Sequence, residues 1–212
     1  MNKQKRVLVF GANGRVGRFL VEYALADGYK VTAFVHRHHG LPDNPNLTIF
    51  RGDVYKSDDI ANALKSQDAV LSALSSWGSS TKDVLATAMG NIIPAMKQHG
   101  ISRIISLTGA EARAPGDSLG IIHRFAHVAL NIVGGKVLRD GEKHIALLAQ
   151  SELDWTVVRS SVMTSQPGTS YTLSSSRPRP WALVRRTAVA RAMVDQLNET
   201  SEHKAAPYIS NS

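Results

Sequence analysis

Arg6-Val7-Leu8-Val9-Phe10-Gly11-Ala12-Asn13-Gly14-Arg15-Val16-Gly17 is the stretch on which the reading of this chain turns. A short apolar strand runs into three glycines in the pattern G-x-x-G-x-x-G. An apolar stripe of helical period, Phe19, Leu20, Tyr23 and Ala24, then follows until Asp27-Gly28 stops it. A helix is expected from Gly14 to about Ala26. Where a strand turns straight into a helix, missing side chains permit a tight turn, close approach of a ligand to the backbone, and close packing of helix on sheet. Backbone amides at the helix start then face an anion. Gly11, Ala12, Asn13, Gly14, Arg15 and Val16 are therefore the expected cradle of a dinucleotide pyrophosphate.

The same alternation continues outward. Strands are expected at 30–35, 47–50, 69–74 and 103–107, with helices between them: one capped by Ser57 with Asp58 and Asp59, and one over 81–98 kinked by Pro94. Such alternation specifies an α/β fold, a Rossmann-type doubly wound parallel sheet flanked by helices. Beyond Thr108 the pattern loosens into a loop over 109–120, two helical stretches to about 149, and a strand at 155–158. A long Ser/Pro/Gly-rich segment over 160–180 is a lid candidate. A helix over 184–197 and a strand near 208–210 follow. We read residues 1–212 as a single domain whose substrate side is built mainly by 109–181.

Composition agrees with one globular unit: 212 residues, 43% hydrophobic and 20% charged. At this length a fold buries roughly 70% of its unfolded surface and needs no covalent staples. The chain has no cysteine, which removes disulfides, thiolate metal sites and cysteine nucleophiles. No apolar run approaches the roughly 20 residues needed to span a bilayer, so a cytoplasmic monomer or homodimer without a membrane partner is expected. The formal charge of +8 suits an anionic ligand without naming it.

Residues at the ends of the expected strands narrow the ligand. Where an acidic group after the second strand would hold the ribose hydroxyls of NAD, the chain has His36 and Arg37. Basic groups suit a 2′-phosphate, and Arg15 can join them, so the expected cofactor is NADP(H). Asp53 and Val54, after the third strand, are placed to bracket the adenine. Ala73, Leu74 and Ser75 end the fourth strand, where it would meet the cofactor.

With Gly11 to Gly17, Gly52-Asp53-Val54, Asn91 to Lys97 and Ser151 to Arg159, the chain resembles the atypical short-chain dehydrogenase/reductases of the NmrA-like and biliverdin-IXβ/flavin reductase group. The likeness runs over nearly the whole chain. It implies a Rossmann-type domain that binds NADP(H). Catalytic members reduce flavins, quinones or tetrapyrroles; others only sense the dinucleotide. Two positions depart from that group: Ser160 stands where proline is usual after the arginine, and Gly109 where serine is usual after the fifth strand.

Other chemistries find less support. None of the tyrosines, Tyr23, Tyr29, Tyr55, Tyr171 and Tyr208, has a lysine four positions later, so the proton-donating pair of alcohol dehydrogenases is missing. Gly116-Asp117-Ser118-Leu119-Gly120 matches a serine-hydrolase pattern but lacks the strand that must precede the serine. His123 and His127 have a metal-binding spacing without a metalloprotease glutamate between them, and no metal site is expected. His36, His38 and His39 alternate between strand faces and suit phosphate contact or solvent. Gly134-Gly135-Lys136 is no ATP loop and marks a helix break. Arg177, Arg179, Arg185, Arg186 and Arg191 come without aromatic interleaving or a recognition helix, so a solvated basic surface is expected there rather than a nucleic-acid interface. Trp77 and Trp181 could each stack on a flat substrate.

The expectation is an NADPH-dependent reductase of a planar, electron-poor acceptor. Thr108 and His123 are its candidate catalytic residues, with Glu111 and Arg113 near the substrate and Ser106 within the sheet. The alternative is a non-catalytic NADP(H) sensor.

Overall fold

The computed structural model describes residues 4–37, 40–77, 79–118, 120–199 and 202–212, with the backbone alone at 121–123, 125, 126, 129, 130 and 133. In chain order the elements are β1 (Arg6–Phe10), α1 (Gly17–Ala26), β2 (Lys30–Val35), β3 (Leu47–Arg51), α2 (Ser57–Leu64), β4 (Ala69–Ser72), α3 (Val84–Gln98) and β5 (Arg103–Gly109). They continue with α4 (Ile121–Ala149), β6 (Asp154–Ser160), β7 (Val162–Thr164), β8 (Tyr171–Ser174), β9 (Leu183–Arg185), α5 (Arg186–Asp195) and β10 (Tyr208–Asn211). Among the described residues no helix is long and apolar enough to cross a membrane.

Eight strands form one sheet in the order β3-β2-β1-β4-β5-β6-β10-β8, and β7 pairs with β9 apart from it. The main sheet is parallel except for β8, which runs antiparallel to β10. The order reverses between β1 and β4, and the crevice at the carboxyl ends of those two strands is where a doubly wound sheet receives its ligand.

Side chains alternate across the sheet as the strand period requires. Val7 and Val9 of β1 join α1 and α5 in one core; Leu8 and Phe10 join α2, α3 and α4 in the other. Both faces are covered, which is why the strands lack a polar side.

Three local expectations are corrected. Gly14 to Val16 form a turn, and α1 starts at Gly17. Ser57 is the first residue of α2 rather than its cap: Lys56 stands at that position and no side chain caps the helix. Segment 160–180 is partly sheet, because β7 and β8 lie within it. Thr187 donates to the Gly168 carbonyl oxygen at 2.7 Å and Arg186 to that of Met163 at 2.9 Å. Both ties run from α5 to the segment. Pro94 sits inside α3, which continues through it as one element. The break expected at Gly134 is present: that residue leaves helical geometry (φ −142°, ψ 28°) in the middle of α4.

The second half of α4 is fastened to β5 by a hydrogen bond of 2.8 Å between Ser106 Oγ and His144 Nε2, both fully buried. Burial lowers the His144 pKa to about 4. An unfolded chain takes up that proton near pH 6.5, so it binds more protons than the folded one between about pH 4 and 6.5, and stability falls with pH through that window. The loss approaches about 3 kcal/mol at its lower end. Urea melts at pH 7 and pH 4.5 should show a smaller difference for His144→Gln than for the wild type; an equal pH dependence would refute the assignment.

Candidate cofactor and acceptor site

The glycines of the first turn serve different ends. Gly11 has φ +72° and its missing Cβ would stand 2.7 Å from the Ala73 carbonyl oxygen, so here β1 and β4 meet backbone to backbone. A Cβ on Gly17 would stand 2.0 Å from the Gly11 carbonyl oxygen, closer than atoms can approach. A Cβ on Gly14 would meet only that same oxygen, at 3.0 Å, and Gly14 is exposed. Gly11 and Gly17 thus hold the fold, and Gly14 keeps the outer face open. Ala12 and Val16 turn their side chains into the core, which leaves their backbone to the ligand side.

Asn13 ties this turn to the connection after β2. Its Oδ1 accepts from Arg18 Nη2 at 3.0 Å and from the Gly40 amide at 3.3 Å. Around the open face stand Arg15 and, at the end of β2, His36 and Arg37, all exposed. None of these three side chains has a hydrogen bond or ion pair among the described residues. The exposed Gly14 and these uncommitted basic groups fit a dinucleotide carrying an extra phosphate. His38 and His39 lie outside the described residues.

The turn after β3 is held in shape. The Asp53 amide donates to Asp59 at 2.9 Å, the Tyr55 amide donates to Asp53 Oδ1 at 3.0 Å, and Asn91 donates to the Val54 carbonyl oxygen at 3.0 Å. Asp53 and Val54 are half-buried beside the crevice. After β4, the Ala73 amide donates to the Phe10 carbonyl oxygen at 3.0 Å. Ser75 Oγ accepts the Trp77 amide, and the Ser76 hydroxyl donates to Asp140 of α4. Buried Asp140 also accepts the amides of Leu85 and Ala86 at the start of α3.

On the acceptor side, Thr108 ends β5 only 8% exposed, with its Oγ1 2.7 Å from where a Cβ on Gly141 would stand. It therefore faces α4. His123 belongs to α4, and its side chain lies outside the described residues. Glu111 and Arg113 are drawn into ion pairs, with Arg177 at 3.1 Å and with Glu142 at 3.0 Å respectively. His127 Nε2 lies 3.9 Å from the same Glu142. Among the described residues no three His, Asp or Glu side chains converge as metal ligands would.

Asp117 is the centre of a cluster that sequence reasoning missed. It accepts from Arg159, from Arg177 at 3.2 Å and from the Tyr208 hydroxyl at 3.3 Å. The Arg159 guanidinium lies over the Tyr208 ring at 3.8 Å. Burial alone would raise the Asp117 pKa; hydrogen bonds from Arg159 and the Ala114 amide and the charges of both arginines hold it below its ordinary value. Burial, ahead of the charges around it, pushes Tyr208 up to about 12. The expected basic surface is corrected for two of its five arginines: Arg177 is bound in this cluster and Arg191 pairs with Asp27 and Asp195, while Arg179 is exposed. A cleft of about 370 Å³ lies beside the cluster, lined by Arg113 to Asp117, Glu142 and Ala146. It shares no residue with the glycine turn, and the topology of the sheet, not cleft size, locates the cofactor crevice.

Residues 11–200 match the NAD(P)H-binding family, which spans the glycine turn, the crevice and the acceptor side together. The chain belongs to that family. Sterol-4-alpha-carboxylate 3-dehydrogenase, decarboxylating, of Homo sapiens is 32% identical over 114 residues, covering 51% of this chain and 30% of that enzyme. The chain spans between 30% and 62% of the length of the first curated relatives it matches. Among solved structures, a short-chain dehydrogenase/reductase of Veillonella parvula in complex with NADP superposes with a TM-score of 0.79 at 18% identity, over 99% of this chain and 95% of that one. ChuY, an anaerobilin reductase of Escherichia coli O157:H7, gives 0.78 at 20% identity over 98% and 97%. These likenesses concern the fold, which they share with this NAD(P)H-binding protein.

Asp140, Asp117 and Tyr208 carried no local signal, because each acts on a partner distant in sequence. The family's turn yields a clean test. Gly14→Val should melt close to the wild type yet lose NADPH binding, whereas Gly17→Ala should lose on the order of 1–3 kcal/mol of stability by overpacking. Calorimetric titration and thermal melts read both; a folded Gly14→Val that binds NADPH normally contradicts the placement.

Proposed function

We propose that this NAD(P)H-binding protein is an NADPH-dependent reductase of a planar, electron-poor acceptor of flavin, quinone or tetrapyrrole type. The observation that carries the cofactor choice is the uncommitted cationic group, Arg15, His36 and Arg37, beside the open face of the glycine turn. The names of two structural neighbours support the reading, one bound to NADP and one an anaerobilin reductase. Bound NADPH supplies a hydride to the acceptor, which takes a proton from water as NADP⁺ is left. The chain's own part is placement: the turn amides hold the pyrophosphate, the cations hold the 2′-phosphate, and the ends of β4 and β5 set the floor beneath the acceptor.

The acceptor class follows from the described side chains near the end of β5, none of which is placed as an acid. Thr108 offers a hydroxyl with an ordinary alcohol's reluctance to ionise, and Glu111 and Arg113 are bound in ion pairs. A flavin or quinone spreads the incoming charge over its ring, whereas a simple ketone builds a localised alkoxide that needs a positioned acid. The second reading, a sensor without turnover, is favoured by Gly109, which leaves the end of β5 without the serine of the reductases it resembles. Cytoplasmic residence and a monomeric or homodimeric state belong to the proposal.

Arg37→Ala should weaken NADPH about ten- to a hundredfold, the worth of one charge-assisted contact, and leave NADH nearly unchanged. Equal weakening of both contradicts the 2′-phosphate assignment. In steady-state kinetics, a quinone and a flavin should be reduced and a small ketone poorly, with Thr108→Ala lowering turnover by about tenfold or less. Efficient ketone reduction that collapses in that variant by about a thousandfold would show a dedicated acid at Thr108. No NADPH oxidation with any acceptor would favour the sensor.

A further inference from the structure

Trp77 and Trp181 are similarly exposed, 65% and 64%, but they are differently placed. The Trp181 ring lies 5.9 Å from the Arg179 guanidinium and belongs to the β7–β9 side of the molecule. Trp77 lies in the connection at the carboxyl end of β4, four residues beyond Ala73, whose carbonyl oxygen abuts Gly11. Four residues of chain span at most about 14 Å, which bounds the distance between the Trp77 Cα and the Gly11–Ala73 contact at the crevice.

Its backbone is held from two sides. The Trp77 amide donates to Ser75 Oγ at 3.2 Å, and the preceding Ser76 is bonded to buried Asp140. One edge of the indole rests on the break in α4: a Cβ on Gly134 would stand 3.2 Å from Trp77 Cη2. An apolar ring with its edge seated, its backbone pinned and most of its surface in water is a preorganised stacking surface, and indole is electron-rich.

We propose that Trp77 is the platform on which the flat face of the acceptor stacks, making it the residue that selects planar, electron-poor rings over compact carbonyl compounds. This rests on the reductase reading only in calling the ligand an acceptor. Gly134 is small because the indole edge lies on it, and Asp140 is a positioning residue that acts through Ser76.

The probe is riboflavin, a planar ring without a phosphate to compete for the cationic turn, titrated into protein saturated with NADP⁺ and followed by quenching of flavin fluorescence. Trp77→Ala should weaken riboflavin about tenfold, Trp77→Phe should retain affinity within about threefold, and Trp181→Ala should match the wild type. NADP⁺ affinity and the thermal melt of Trp77→Ala should be unchanged. Wild-type affinity in Trp77→Ala, an equal loss in Trp181→Ala, or no riboflavin binding to the wild type would each overturn the proposal. A wild type that binds riboflavin through Trp77 and never oxidises NADPH would sink the reductase reading and leave this one standing.

Discussion

No side chain separates Gly17 from Gly11: the position a Cβ would take on the helix lies 2.0 Å from the strand's carbonyl oxygen. That contact sets the distance at which α1 crosses the end of β1. Gly11 in turn abuts the Ala73 carbonyl, so three elements converge through backbone alone. The crevice floor is therefore as low as a polypeptide permits, and its amides are within reach of a ligand. Removing the side chains there costs conformational freedom, since glycine loses more on folding than any other residue. The two apolar cores on either side of the sheet supply the burial that offsets it.

Charge is distributed so that the ligand meets what the fold leaves uncommitted. Four arginines from β5 onward are bound to carboxylates: Arg159 and Arg177 to Asp117, Arg103 to Asp154, Arg191 to Asp27. Arg15 and Arg37, next to the glycine turn, are not. Paired arginines confer rigidity on the acceptor side because removing Asp117 would strand a guanidinium that is only 4% exposed. Free cations near the turn lose less on meeting a phosphate, having no protein partner to give up.

The first half of the molecule was legible because its signals are local. Strand-length apolar runs, the helical stripe of α1 and the spaced glycines each declare themselves within a dozen residues or so. Gly134-Gly135 marked the break in α4 for the same reason. Beyond β5 the determinants become non-local. β7, β8 and β9 are three or four residues long and owe their existence to partners elsewhere, β8 to a strand at the very end of the described chain. Asp117 sat inside a serine-hydrolase pattern that drew attention to the wrong residue; its arginines come from β6 and from the segment before β9. Asp140 is one charge on a long helix, and only the approach of Ser76 and the start of α3 gives it a role.

The proposed chemistry is that a hydride leaves a nicotinamide held at the β1–β4 crevice for a flat ring stacked above it. A single-turnover experiment tests it most directly: protein loaded with one equivalent of NADPH, carrying deuterium or protium at the transferring position, is mixed with a quinone under anaerobic conditions. The nicotinamide absorbance should decay in one phase far faster than without protein, and deuterium should slow it. Persistence of that absorbance while the cofactor stays bound would contradict it.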